Sequence, residues 1–214
     1  MKNKLVVPDI SKSLNKKTSL KKVFKFIDYH NIDQYSWETP NGPEHIRFKI
    51  AHDNKNIYLH YDVIELEMAA RYLNHNDPVC KDSCVEFFIS LQDDPSYYNF
   101  EFNPLGTILF GYGLDRYQRQ LIDIETIDLI KVKTKIKRIN QHDLTTFNWK
   151  LYIKIPLKTF AFSTIKSFEK LKARANFYKC GDDLSKPHYI SWTPIKSEKP
   201  DFHLKSYFGE IDFN

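Results

Sequence analysis

Short segments in which every second residue is apolar recur along this chain, and they restrict it more than any other feature. Ile46, Phe48 and Ile50 alternate with polar residues, as do Ile57, Leu59, Tyr61 and Val63. The pattern returns at Val85, Phe87, Ile89 and Leu91, at Tyr98, Phe100 and Phe102, at Trp149, Leu151, Ile153, Ile155 and Leu157, and at Leu171, Ala173, Ala175 and Phe177. A period of two gives a strand with one face in a core. Turn-forming clusters separate the runs: DNKN (53–56), QDDPS (92–96), PLG (104–106), NQHD (140–143) and CGDD (180–183). Most gaps are too short for helical crossovers, so a parallel α/β sheet is not expected. The expected fold is an all-β, antiparallel β-sandwich of jelly-roll or immunoglobulin-like type with at most one or two short helices. STIKSFEKLK (163–172) reads as one helical turn, and IELEMAARYL (64–73) fits either helix or strand.

The chain of 214 residues reads as a single domain, 1–214, because no repeat, low-complexity linker or composition break divides it. Residues 1–20 are expected to form a leading arm or an edge strand. Hydrophobic residues make up 42% of the chain, enough for a sizeable core without disulfides or metals. The net charge of +5 comes from dispersed lysines, with local excess near Lys16–Lys25 and Lys131–Arg138, which reads as solvated surface rather than a nucleic-acid footprint. No run approaches the ~20 apolar residues of a membrane span. The opening MKNKLVVPDI has three consecutive apolar residues, too few for a secretory signal, so the chain is cytoplasmic by default, or extracellular or periplasmic if a signal was removed.

The polar faces of three strands carry the functional signal. Opposite the core face lie Cys84, Glu86, Phe88 and Ser90 on one strand, Asn99, Glu101 and Asn103 on the next, and Arg174, Asn176 and Tyr178 on a third. Carboxylate, amide and guanidinium groups match sugar hydroxyls, and aromatic rings offer a platform to the apolar face of a pyranose. The plain alternative is a wet sheet face. Trp149 shares parity with aliphatic residues and reads as core, and Trp37 in SWETPNGP reads as a structural plug. Cys80 and Cys84, roughly 13 Å apart if on one strand, cannot form a disulfide. With Cys180, His188 and His203 they supply zinc-ligand residue types, although a CxxxC pair with partners about 100 residues away is not an established zinc spacing. Asp82, a turn partner or calcium ligand, and Asp182 and Asp183 in CGDD are the candidates for calcium, without an EF-hand loop. No nucleophile elbow, metalloprotease, P-loop or dinucleotide motif is present, and only Met1 and Met68 are available as methionine haem ligands.

VCKDSCVEFFISL (79–91) followed by YYNFEFNPLGTIL (97–109) resembles the signature of family 9 carbohydrate-binding modules. ANFYKCGDDLSKPHYISWTPI (175–195) and PDFHLKSYFGEIDF (200–213) are similar to the end of the same group. The resemblance implies a twisted β-sandwich related to DOMON-like domains, structural calcium, and non-catalytic binding of an oligo- or polysaccharide between two tryptophans. It places Glu86 on the family's sugar-binding carboxylate, Trp192 on the second stacking tryptophan and Asn103 on the family asparagine. The first stacking tryptophan is replaced by Cys80, and the arginine two residues before Asn103 by Glu101. Asn176 and Tyr178 complete the expected carbohydrate site. A structural or protein-interaction sandwich that has lost sugar binding is the alternative, and a glycan hydrolase, which needs two carboxylates across the scissile bond, is the third.

Overall fold

The computed structural model describes residues 3–14, 18–38, 45–141 and 144–214. Residues 142–143 of the NQHD turn and 39–43 of SWETPNGP lie outside them. In chain order the elements are β1 (Lys4–Val7), α1 (Leu20–Val23), β2 (His30–Asn31), β3 (His45–His52), β4 (Asn56–Glu65), β5 (Cys84–Leu91), β6 (Tyr97–Phe102) and β7 (Ile108–Gly113). Then follow β8 (Arg119–Leu121), α2 (Ile124–Ile127), β9 (Lys131–Gln141), β10 (Leu144–Pro156), β11 (Lys172–Cys180), β12 (Tyr189–Ser191) and β13 (Gly209–Phe213). One sheet has the order β1-β13-β11-β5-β6-β7-β8, with β12 paired to β11, and the second runs β2-β3-β4-β10-β9. The two sheets make the sandwich that the alternation predicts. All strand pairs are antiparallel except β1 with β13, which run parallel, so the leading segment is an edge strand joined to the far end of the chain.

Local chemistry explains the elements. Asp53 accepts hydrogen bonds from the Asn56 backbone N–H at 2.7 Å and the Tyr58 hydroxyl at 2.7 Å, while Asn54 takes φ 66°, which closes the β3–β4 hairpin. Asp123 caps α2 by accepting from the Thr126 N–H at 2.7 Å. The predicted turn of helix over 163–172 is absent, and this segment is irregular with Phe168 pinned in the core. IELEMAARYL divides, with Ile64 and Glu65 ending β4 and the remainder forming an irregular covering loop. Leu157 leaves the strand pattern because β10 stops at Pro156, and the following residues form a 3₁₀ turn. The free edge of the second sheet is β9, whose Lys131, Lys133, Lys135 and Lys137 alternate along an exposed strand and discourage edge-to-edge pairing.

The inward residues of both sheets interlock as one core. Phe48 stacks on Phe177 with ring centroids 3.7 Å apart, and the Tyr61 hydroxyl donates to the Glu86 carbonyl at 2.9 Å, tying one sheet to the other. Trp149 is fully buried, as its parity requires. At one end of this core the sheets are joined by charge. Lys179 of β11 lies 2.9 Å from Glu65 of β4, and both are buried. Glu65 also accepts from the Trp149 indole N–H at 2.6 Å. Lys179 Nζ lies 2.7 Å from His188 Nε2 and 2.8 Å from the Cys180 carbonyl. Burial, followed by the Lys179 charge, lowers the His188 pKa to about 3, so a neutral imidazole accepts a hydrogen bond from the lysine ammonium.

Lys179→Met would leave Glu65 charged and unpaired, and its unfolding free energy in urea is expected to fall by about 3–5 kcal/mol. Adding Glu65→Gln, which keeps an acceptor for Trp149, should restore at least half of that loss. The acid dependence has a definite sign. The His188, His203 and His60 pKa values are lowered by burial to about 3, 3 and 4, so the unfolded chain binds more protons below the ordinary value of 6.5. Their contribution is complete above that value and is lost as pH falls toward 3–4. His188→Gln should make the decline in melting temperature between pH 6.5 and 4 shallower than in the wild type.

Candidate functional site

The outer face of the first sheet is covered, which the alternation alone does not require. β5 and β6 are buried at every position. Phe88, Tyr97 and Tyr178 point away from the inter-sheet core and form a second apolar layer with Val79, Ile195, Phe202 and Phe208. Loops from residues 66–83 and 181–208 supply its cover. Trp37 closes one side, packing against Tyr189 and Phe202 and donating to the Ser197 carbonyl at 3.0 Å, the plug role its loop suggests.

This cover opens at a cleft of about 220 Å³ over one end of β5, β6 and β11. Glu86 and Glu101 face each other across the β5–β6 ladder and form its floor, and Cys80 and Cys180 lie beside them. Arg116, Arg119, Asp182, Tyr189, Asp201 and His203 reach in from the surrounding segments. A broader, shallower groove of about 1100 Å³ runs along residues 162–174 and β13, but its charged side chains are not buried, and Lys4 and Asp212 there simply pair at 2.9 Å.

Electrostatics set the cleft apart. Glu86 and Glu101 are each 3% exposed. Arg119 approaches Glu101 at 3.4 Å, and Asn99 Nδ2 donates to the same carboxylate at 3.0 Å. Glu86 Oε1 lies 3.0 Å from the Cys180 thiol, which donates to it. Burial raises both carboxyl pKa values, and Glu86 rises further because Glu101 opposes it while Arg119 sits with Glu101. The Tyr97 hydroxyl meets His203 Nδ1 at 2.6 Å and stays protonated through burial. Burial lowers the His203 pKa to about 3, so the ring is neutral and presents one N–H and one acceptor nitrogen.

The sequence-predicted residues separate into two groups. Cys80, Glu86 and Glu101 come together in the cleft. The remaining four hold the structure. Trp192 is 7% exposed and lies on the inner side of the sheet, edge-on to Phe48 and Phe177, so its ring is covered and offers no platform. Gly209 makes room for it: a Cβ there would lie 2.6 Å from Trp192 Cζ3. Asn176 is fully buried and clamps residue 193, donating to the Thr193 carbonyl at 3.1 Å and accepting from its N–H at 2.9 Å. Tyr178 stacks on Phe202 at 4.1 Å and donates to the Phe202 carbonyl at 3.0 Å. Asn103 accepts from the Leu105 and Thr107 N–H groups and donates to the Tyr72 carbonyl and Asp82.

The calcium candidates do not fit a calcium cage. Asp82 is fully buried, but its oxygens face donors: the Arg71 and Tyr72 N–H groups at 2.9 and 3.1 Å and Asn103 Nδ2 at 3.1 Å, with the Arg71 guanidinium beside them. Calcium would need oxygen ligands where these N–H groups stand. Asp183 pairs with Lys81 at 3.5 Å and Asp182 belongs to the cleft. The zinc-type residues also divide. His188 joins Lys179 inside the core and His203 joins Tyr97, whereas Cys84, Glu86 and Cys180 place their ligand atoms within 4.8 Å of one another.

The sequence matches the model of carbohydrate-binding family 9 over residues 18–213. The chain belongs to this family. A candidate carbohydrate-binding protein from Bacteroides uniformis shares 30% identity, with 99% of each chain covered and a TM-score of 0.88. Two structures of a family 9 module from Caldicellulosiruptor kristjanssonii share the fold. One, in complex with glucose, has 16% identity, a TM-score of 0.63, and 99% and 96% coverage of this chain and that one. The other, in complex with cellotriose, has 14% identity, a TM-score of 0.64, and 99% and 94% coverage. Comparison with curated proteins gives no significant match.

The cleft is lined differently from what the sequence resemblance implies. Glu101 stands where an arginine is expected, and a guanidinium arrives instead from Arg119 on β8. Tyr189 is the aromatic residue of the cleft with an accessible surface, carried on the short strand β12. Neither was legible from strand patterns, because Arg119 and Tyr189 lie on three-residue strands whose reach into the cleft depends on the pairing of β8 and β12. Replacing Asp82 with alanine should cost about 3–5 kcal/mol in chemical denaturation, since several buried donors lose one charged acceptor. Calcium should leave the wild-type melting temperature unchanged, and a rise on calcium titration would contradict the role given to Asp82.

Proposed function

We propose that this chain is a non-catalytic carbohydrate-binding module whose cleft over β5, β6 and β11 takes one pyranose unit of an oligo- or polysaccharide. The observation that carries the reading is the opening in an otherwise covered sheet face above a buried carboxylate pair. Glu86 and Glu101 supply acceptors and, through the proton the pair retains, a donor. Arg116, Arg119 and His203 add N–H groups, and the half-buried Tyr189 offers an aromatic surface. Planar, bidentate-capable groups next to an aromatic ring match the alternating hydroxyl and C–H surfaces of a sugar. The volume is below that of a drug-sized pocket, which favours a single ring or a chain end over a long segment. Family membership and the glucose and cellotriose complexes of the Caldicellulosiruptor module support a glucose-type ligand.

Hydrolysis is disfavoured by placement. A glycosidase sets an acid and an ionised carboxylate on opposite sides of the scissile bond. Here both carboxyls rise side by side from one floor, and burial raises the pKa of both. The aromatic sandwich implied by the resemblance is missing, with Cys80 at one wall and Trp192 buried. This favours modest affinity and is the observation behind the second reading, a protein-interaction sandwich.

Calorimetric titration with glucose, cellobiose, cellotriose and xylo-oligosaccharides tests the proposal. Saturable binding with micromolar to millimolar Kd is expected, weakened at least tenfold by Glu86→Gln and by Tyr189→Ala. Trp192→Ala should act on stability instead, by about 3–5 kcal/mol. No binding to any of these sugars, or binding that ignores both cleft substitutions, would overturn the assignment.

A further inference from the structure

The floor of the cleft holds a cluster of which the proposed sugar site uses only Glu86, leaving its two thiols without a role. Antiparallel pairing of β5 with β11 sets Cys84 directly opposite Cys180, and two residues along β5 the same face presents Glu86. Their ligand atoms, two thiols and a carboxylate oxygen, lie within 4.8 Å of one another, and Cys180 Sγ is 3.0 Å from Glu86 Oε1. All three residues are buried. In a tetrahedral zinc site, bond lengths of about 2.3 Å to sulfur and 2.0–2.2 Å to oxygen place ligand atoms roughly 3.5–3.8 Å apart, so small side-chain rotations would suffice. A second observation points the same way. The neighbouring Glu101 is buried, lines the cleft, and has in Oε2 an atom without a hydrogen-bond partner among the described residues.

We propose that Cys84, Cys180 and Glu86 form a zinc site at the bottom of the cleft, with the fourth position facing the opening where Cys80 lies. The donor set selects the metal. Two sulfurs exclude the hard cations calcium and magnesium, which take oxygen, while mixed sulfur and oxygen ligation suits zinc. Two thiolates and a carboxylate carry three negative charges, of which a divalent ion offsets two. Arg119, already beside Glu101, supplies a further positive charge. On binding, each thiol releases its proton to solvent, the Glu86 carboxyl gives up any proton it holds, and no electrons move. The proposal does not depend on sugar binding, since its ligands are protein atoms and its readout is spectroscopic.

The test uses the full chain, reduced and stripped with a chelator, then titrated with zinc or cobalt chloride without sugar. One equivalent should bind. Cobalt should give the intense near-ultraviolet bands of thiolate charge transfer, and zinc should raise the melting temperature. Cys84→Ser and Cys180→Ser should each weaken binding at least a hundredfold, and Glu86→Gln at least tenfold. If either serine variant fails to fold, Cys80→Ser decides the matter. The chain has three cysteines, so thiolate bands that persist in this variant must come from Cys84 and Cys180. Loss of the bands in Cys80→Ser, a cobalt spectrum without thiolate bands, or unchanged affinity in the folded Cys84 and Cys180 variants would overturn the site. Sugar binding that survives in a protein without a zinc site would leave the carbohydrate reading intact.

Discussion

β5 and β6 are buried on both faces, and this double requirement organises the molecule. One face is satisfied by the opposing sheet through Phe48, Tyr61 and Trp149. The other needs a cover that no third sheet supplies, so long connections fold back over it. Phe88, Tyr97 and Tyr178 are its anchors, and Trp37, Phe202 and Phe208 are brought to them from distant parts of the chain. A cover assembled from loops seals less completely than a sheet, and the cleft lies where the loops part. The polar residues beneath it are therefore held by a rigid ladder, while the residues around its mouth sit on loops and short strands.

The structure handles buried charge in two ways. Inside the sandwich, Lys179 and Glu65 neutralise each other, with His188 and Trp149 completing their hydrogen bonds. That arrangement is charge-balanced and ties the sheets together. In the cleft, two carboxylates share one close arginine and two thiols, so positive charge is in short supply. Unbalanced polar groups in a confined space cost stability, and their retention in this cleft is the feature on which the proposed binding site rests.

Much of the sandwich was written in the alternation: Ile46 through Val63, Val85 through Phe102 and Trp149 through Ile155 all lie inward where period two puts them. The covered outer face was partly legible, because CVEFFISL carries Phe88 on the supposedly polar side, but nothing local says what would cover it. Glu86 and Glu101 could be found because their parity and their neighbours placed them on one face. Trp192 shows the limit of motif transfer. It shares parity with the buried Ile190, and inside the protein that packing preference prevails over the resemblance. Arg119, Tyr189 and the meeting of Cys84 with Cys180 depend on strand register between segments up to about a hundred residues apart, which local pattern does not encode.

The parallel pairing of β1 with β13 gives the chain an order of assembly. The first strand has no partner until the last has been made, and the cover of the site comes largely from residues 181–208. During synthesis the apolar outer faces of β5 and β6 therefore wait, exposed, while nearly half of the chain is still being added. Such long-range closure slows folding and leaves sticky intermediates in reach of one another. The cleft is complete only when residues 180–203 lie over β5 and β6, so a ligand that needs its whole lining can engage only folded chains.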